Sequence, residues 1–476
     1  MGSNVHSSTA TRHNDQRMIR RLIIRIFALP FTLGYITFAS STTYATSLLD
    51  IYDQAATSDP TIRAAAATRL AVREAQPQAW ASLFPNIAAT ANWANVECSG
   101  FSTQCNSSGV PAVASSASRV VTQRGGTYGI TATEQINIPA ILRALHRTDY
   151  TLAQADITYH AAEQTLAVRV ALRYFNVLLA NDTLHSAEAS LAAFNQQLEQ
   201  QQSRFDVGLS ADTNVQEARA ARDSANASVI SAKRSLASAQ EQLREIAGTL
   251  VDTLAAPGDD MPLIMPDPDS EDAWVQKAMD GNLTLANSRI IMDIASYDVG
   301  TLRTRRYPTL AIGAAYNNID AFRDLNIHDT TKRWSGTVLS VGVSVPIFSG
   351  GMITSQIRQG EYELVAARQL VELATRQTDS SARDAFLGMQ SAIALVQATK
   401  QALESARLAV DATEAGFEVG TRTTIDILNS RKALQSAEVQ YQQSRYQYIT
   451  QLITLKQVSG QLTRTDLEQI NSWLTQ

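Results

Sequence analysis

The side chains that could do chemistry in this chain gather at two turns. The first reads Arg204-Phe205-Asp206-Val207-Gly208, the second Gly416-Phe417-Glu418-Val419-Gly420-Thr421-Arg422-Thr423. Shortly after the second come Asp426 and Asn429, whose i, i+3 spacing puts a carboxylate and a carboxamide on one helix face. Carboxylates brought close together raise one another's pKa and attract cations. A local reading competes with any such role. Thr423 or Thr424 suits a helix N-cap, and an Asp in the first turn complements the helix dipole. Bond-making chemistry finds no constellation. The histidines His6, His13, His146, His160, His185 and His328 are scattered without metal-ligand spacing. No GxSxG elbow, P-loop or dinucleotide-binding glycine pattern occurs. Gly125-Gly126 reads as a β-turn near a strand start, and Gly350-Gly351 as a strand-to-helix turn. The expectation is a protein that is not an enzyme and carries neither cofactor nor metal.

The two turns each break a very long helical pattern, which makes them the tips of helical hairpins and points to an internal duplication. Residues 140–205 contain no Pro or Gly, enough for about 100 Å of helix. Residues 351–417 form a similar run, and the returning partners cover 213–246 and 424–458. Their faces carry Ala, Ser, Gln and Thr, as in Ala218, Ala221, Ala225, Ser228, Ala232, Ser235 and Ala239. Small residues let helix backbones approach on more than one side, which suits a tube of helices better than a leucine zipper. The duplication extends upstream. Ser58-Asp59-Pro60-Thr61 matches Gly281-Asn282-Leu283-Thr284, and Phe84-Pro85-Asn86 matches Tyr307-Pro308-Thr309, both at an offset of 223 residues.

Between helices lie short alternating segments: Ile87–Trp93, Tyr128–Ile136, Leu310–Tyr316 and Val338–Val345. Apolar residues alternate with small or polar ones over about ten positions, the pattern of an outer-membrane β-barrel strand. Pro85, Pro139, Pro308 and Pro346 mark the junctions with helix, where a missing N–H costs least. Four strands cannot close a barrel, and lipid does not tolerate open sheet edges. The inference is an oligomer that pools strands.

Arg17 to Arg21 is basic, Leu22 to Phe38 is mostly apolar, and Thr43-Tyr44-Ala45 has the small residues of a cleavage site. This reads as a secretory signal peptide over 1–45, with a membrane anchor as the alternative and Met18 as a second candidate for the start. The remainder holds 35 basic against 44 acidic residues, a net charge of −9, which argues against nucleic acid. The two cysteines, Cys98 and Cys105, share a Ser/Gly/Asn-rich loop where a local disulfide is expected in an exported protein; free thiols are the other reading.

Taken together, the chain resembles the TolC-type outer-membrane factor family over nearly all of residues 47–474. The resemblance rests on Ser47-Leu48-Leu49-Asp50-Ile51-Tyr52-Asp53-Gln54-Ala55 with Asp59-Pro60, on Ser344-Val345-Pro346-Ile347-Phe348-Ser349-Gly350-Gly351-Met352, and on Glu414 to Thr423 followed by Asp426-Ile427-Leu428. It implies a mixed α+β, predominantly α fold. In that fold a homotrimer joins a twelve-strand β-barrel in the outer membrane to a periplasmic α-helical barrel. The implied function is a passive exit duct for protein secretion or drug efflux. Cargo would be handed over by a periplasmic adaptor protein and an inner-membrane ABC or proton-driven transporter. A periplasmic coiled-coil adaptor without a barrel is the alternative. The implied organisation is a first repeat over 46–256 (strands 86–137, hairpin 140–248), an equatorial linker over 257–272, a second repeat over 273–463 (strands 309–346, hairpin 351–459) and a tail over 464–476. The family places its periplasmic constriction at the positions of Asp426 and Asn429. Its hairpin-tip gate falls on Gln197, Thr213, Asn214, Glu414, Phe417 and Arg422. Asn429, Asn214 and Phe417 depart from the family pattern, so a ring of three charges and a differently built gate are expected.

Overall fold

The computed structural model describes residues 45–475 apart from 103–113, 252, 259–260 and 325–332. The expected signal peptide over 1–45 lies outside the described residues except for Ala45, which packs against the core, and Cys105 lies outside them too. Two halves repeat one order of elements, with one extra short helix before the first strand pair. The first has α1 (Leu48–Ser58), α2 (Pro60–Arg73), α3 (Ala75–Ala81), β1 (Asn86–Ser102), β2 (Ala114–Ile136), α4 (Ile138–Asp206) and α5 (Asp212–Ala247). A short β3 (Ala256–Pro257) precedes the second half, which has α6 (Glu271–Gly281), α7 (Leu283–Thr304), β4 (Thr309–Asp324), β5 (Arg333–Ser344), α8 (Met352–Glu418) and α9 (Thr424–Val458). The chain ends in α10 (Arg464–Asn471) and β6 (Leu474–Thr475).

The duplication is visible in identical local chemistry. Asp59 and Asn282 each end one helix and cap the next with the same backbone angles, φ −64° and ψ 120°. Asp59 accepts from the Thr61 N–H at 2.8 Å and Asn282 from the Leu285 N–H at 3.0 Å. At the hairpin tips Gly208 (φ 76°) and Gly420 (φ 79°) occupy the left-handed region that glycine enters without steric cost. The Leu209 N–H reaches the Arg204 carbonyl and the Thr421 N–H the Gly416 carbonyl, both at 2.8 Å, closing the same helix-terminating turn.

The strands form one antiparallel sheet in the order β1-β2-β4-β5. Its register places Ile87, Ile130, Tyr316 and Leu339 on one face with Ile312, Val341 and Val343, and Thr131, Thr133, Gly313 and Ser340 on the other. One face is fit for lipid and the other for water. β1 and β5 are edges with no partner among the described residues, so a single copy cannot sit in a bilayer. No helix among the described residues is long and apolar enough to cross a membrane. Two sequence readings are corrected here. The strands run longer than ten residues, 17 in β1 and 23 in β2, because their outer ends carry Ser, Thr and Arg and so show no apolar alternation. Gly125-Gly126 is not a turn but lies within β2, where the register against β4 shifts between Arg124 and Gly126. Glycine there admits the bulge.

The main core lies midway along the hairpins. Tyr174, Phe175, Met389, Tyr448 and Ile449 pack with α1, the linker and α10. Carbonyls just before and at the start of the linker are tied to this core. The Tyr174 hydroxyl donates to Ala255 O at 2.6 Å and Arg445, itself buried, donates to Pro257 O at 2.9 Å. β3 pairs with β6, and Leu467 and Ile470 of α10 are buried. The linker and tail therefore add a packed layer to the hairpins at this level.

Candidate periplasmic constriction and gate

Asp426 opens α9. The Thr423 N–H and hydroxyl both donate to Asp426 Oδ2 at 2.9 Å, and the Asp426 N–H donates back to Thr423 Oγ1 at 3.3 Å. This is a complete capping box, so the local reading of Asp426 is realised. It leaves Oδ1 without a partner among the described residues, and Asp426 is only half-buried. The carboxyl is held below its ordinary value, first by the Thr423 backbone and hydroxyl and then by the Arg422 charge. Capping thus fixes the side chain and keeps it ionised. Asn429 is exposed one helical turn on. Behind them Leu428 packs against Phe194, Ala221 and Ala225, which anchors the start of α9 to both helices of the first hairpin.

Of the six expected gate residues, none is joined to another by a hydrogen bond, ion pair or ring contact among the described residues. Glu414 pairs with Arg431 at 2.7 Å inside the second hairpin. Asn214 donates to Ser210 Oγ, which donates to Gln201 Oε1, both at 3.1 Å inside the first. Gln197 is buried and its amide nitrogen has no partner among the described residues. Thr213 is exposed, and Arg422 makes only a backbone bond among the described residues, its N–H to the Gly416 carbonyl at 3.2 Å. The contact that does cross between hairpins is Arg204 over the Phe417 ring, 4.7 Å from its centroid. Phe417 cannot donate a hydrogen bond, but its π face attracts a guanidinium instead. Higher up, the Tyr446 hydroxyl donates to Asp182 at 2.5 Å, linking the hairpins again; burial pushes both pKa values up. Arg431 and Ser210 were missed from sequence, and Arg204, though quoted in the first turn, was not expected in the gate. Arg204 stands in the first tip, where its repeat counterpart, Gly416, gave no reason to single it out.

No cluster of His, Cys, Asp and Glu among the described residues could hold a metal ion. At the hairpin tips the exposed side chains include Thr213, Arg422 and Asn429.

The chain is similar to known outer-membrane proteins. The family described as outer membrane efflux protein matches residues 51–249 and 274–461, the two repeats separately. The outer membrane protein TolC of Vibrio cholerae is 33% identical over 435 residues, covering 91% of this chain and 95% of the relative. TolC of Escherichia coli is 32% identical, covering 94% and 89%. The alkaline protease secretion protein AprF of Pseudomonas aeruginosa is 28% identical over 66% of this chain and 65% of its own. Among solved structures, the outer membrane protein VceC of Vibrio cholerae superposes with a TM-score of 0.68 at 17% identity, covering 87% of this chain and 96% of that one. The open-state MtrE channel of Neisseria gonorrhoeae gives 0.66 at 16% identity, covering 88% and 90%.

Proposed function

The chain belongs to the outer membrane efflux protein family, and on that footing we propose that Asp426 of each protomer lines the periplasmic constriction of its duct. Three chains pool their strands into a twelve-strand outer-membrane barrel continuous with a periplasmic helical tunnel. The trimer is the exit duct of a tripartite export system, fed by a periplasmic adaptor and an inner-membrane transporter. The observation that carries the duct reading is the two-faced four-strand sheet with both edges open, running directly into helices of 69 and 67 residues. Such helices reach about 100 Å, far beyond the 30 Å of a bilayer core.

At the far end, threefold symmetry brings three Asp426 carboxylates together, with Asn429 adding no charge. Arg204, Phe417 and the Glu414–Arg431 pair hold the tips beside that ring. We assign no turnover to the chain itself; its work is to conduct. The name of the AprF relative favours an exported protein as cargo, and the family description favours an efflux substrate. Expression in a cell lacking its own exit duct tests this. Drug tolerance or protease secretion is restored when the matching adaptor and transporter are present. Trimers that reach the outer membrane yet restore neither would overturn the reading.

A further inference from the structure

Just below the sheet, α7 and α8 enclose an open cavity of about 520 Å³ lined by Arg303, Arg306, Tyr307, Thr354, Arg358 and Glu361. Its charges do not cancel. Arg303 is paired with Glu361 at 2.7 Å, the Arg306 side chain donates only to the Thr354 hydroxyl at 3.2 Å, and the Arg358 side chain has no partner among the described residues. Two guanidinium charges are left without a carboxylate among those residues.

The level of the cavity follows from the chain. Arg306 and Tyr307 stand within three residues of Thr309, the first residue of β4. Three extended residues span about 10 Å, which puts them in the interfacial layer at the periplasmic end of the barrel. Ile347 and Phe348, 96% and 88% exposed, belong to the adjacent strand-to-helix segment and suit the acyl region there. Tyr307, half exposed, is of the type that settles at such interfaces.

The direction of the cavity also follows, given the duct reading above. The bore must stay open, so the layer added by the linker and α6 lies on the outside of the helical wall. Arg383 of α8 bonds Glu271 of α6 at 2.6 Å, and Gln390 bonds Asp269 of the linker at 3.3 Å. These residues mark the outer side of α8. Arg358 precedes Arg383 by 25 residues, about seven turns, and so falls on the same side of the helix.

We propose that this outward, membrane-level pocket holds the headgroup of an anionic phospholipid of the periplasmic leaflet, its phosphate between Arg306 and Arg358 and its acyl chains along Ile347 and Phe348. Basic pockets at the membrane surface select anionic lipid by charge, and a guanidinium fork matches phosphate oxygens in pairs. One site per protomer gives three per trimer.

The test is native mass spectrometry of the detergent-purified trimer equilibrated with phosphatidylethanolamine, phosphatidylglycerol or cardiolipin, and with inorganic phosphate as the headgroup-free probe. The wild type retains up to three anionic lipids and few zwitterionic ones, and phosphate does not replace them. The double variant Arg306→Gln/Arg358→Gln loses that retention by about 10- to 30-fold. The single variant Arg358→Gln, which removes an exposed and unpaired side chain, loses about 5-fold while the trimer mass stays unchanged. Equal retention of both lipid classes, unchanged retention in the variants, or displacement of lipid by free phosphate would each overturn the proposal.

Discussion

Gly460→Ala is expected to abolish the stable trimer. Gly460 sits just past α9 at φ 70°, a conformation that costs an alanine about 1–2 kcal/mol. Its backbone also touches the start of the second repeat. A Cβ at 460 would stand 1.9 Å from the Gly281 carbonyl oxygen and 3.1 Å from the Asn282 nitrogen. A Cβ at Gly281 would in turn meet the Ser459 carbonyl oxygen at 2.5 Å. Neither obstacle is a movable side chain. Asn282 fixes the approach further by donating to the Val458 carbonyl at 2.9 Å. Relieving the clash means shifting α6 and α7 against α9 in a packed core, an overpacking cost of about 1–3 kcal/mol on top of the backbone strain. The sum is a large part of the roughly 5–15 kcal/mol that holds a typical native protein. Gly208→Ala and Gly420→Ala are the controls. Both positions have positive φ, but no atom lies within 4 Å of the added methyl, so only the backbone strain is expected. Thermal stability of the three variants separates the cases: Gly460→Ala loses far more than either control, and equal losses would show that the contact is relieved elsewhere.

Asp426→Asn is expected to remove most of the cation preference of the open channel and its block by polyvalent cations. Three carboxylates at one constriction, between low-dielectric walls, focus potential strongly. Asn429 offers no charge in reserve. The substitution is chosen because a carboxamide oxygen still accepts from Thr423, so the cap and the helix start persist. The pH dependence has a definite sign. Thr423 and Arg422 lower the carboxyl pKa, so the charge and the stability its hydrogen bonds contribute are present above the ordinary carboxylate range. Both are lost as pH falls through the lowered value. In the proposed ring three like charges would push the other way, and the measured midpoint would be the balance. Reversal potentials across a salt gradient in planar bilayers measure the effect. Identical values for wild type and Asp426→Asn would leave Asp426 as a cap alone.

Much of the fold was legible because prolines and glycines punctuate it. The two tips share a Phe, acid, Val, Gly sequence, and that sequence makes one turn twice. The proline junctions located both strand pairs. The length of the strands was not legible. Arg119 and Thr122 of β2 pair with Gly100 and Glu97 beyond the apolar band, where no alternation is needed. The candidate site was half legible. The cap at Asp426 could be found, as Asp426 and its capping partner lie within four residues. The Arg204–Phe417 contact could not, because it joins positions over two hundred residues apart and leaves no periodic trace. Glu414 was noticed, but its partner Arg431 lies across the turn on the returning helix, and only the hairpin's register brings them together. The meeting of Gly281 and Gly460 is likewise a property of packing: each glycine alone reads as an ordinary helix end.

The central claim is that one chain is a third of a closed barrel. Native mass spectrometry of the detergent-solubilised protein tests it most directly. The expected result is a single species at three times the protomer mass, in which β5 of each copy pairs with β1 of the next and no edge remains. A monodisperse monomer that still conducts ions in a bilayer would contradict it, since four strands with two open edges cannot line a pore in lipid.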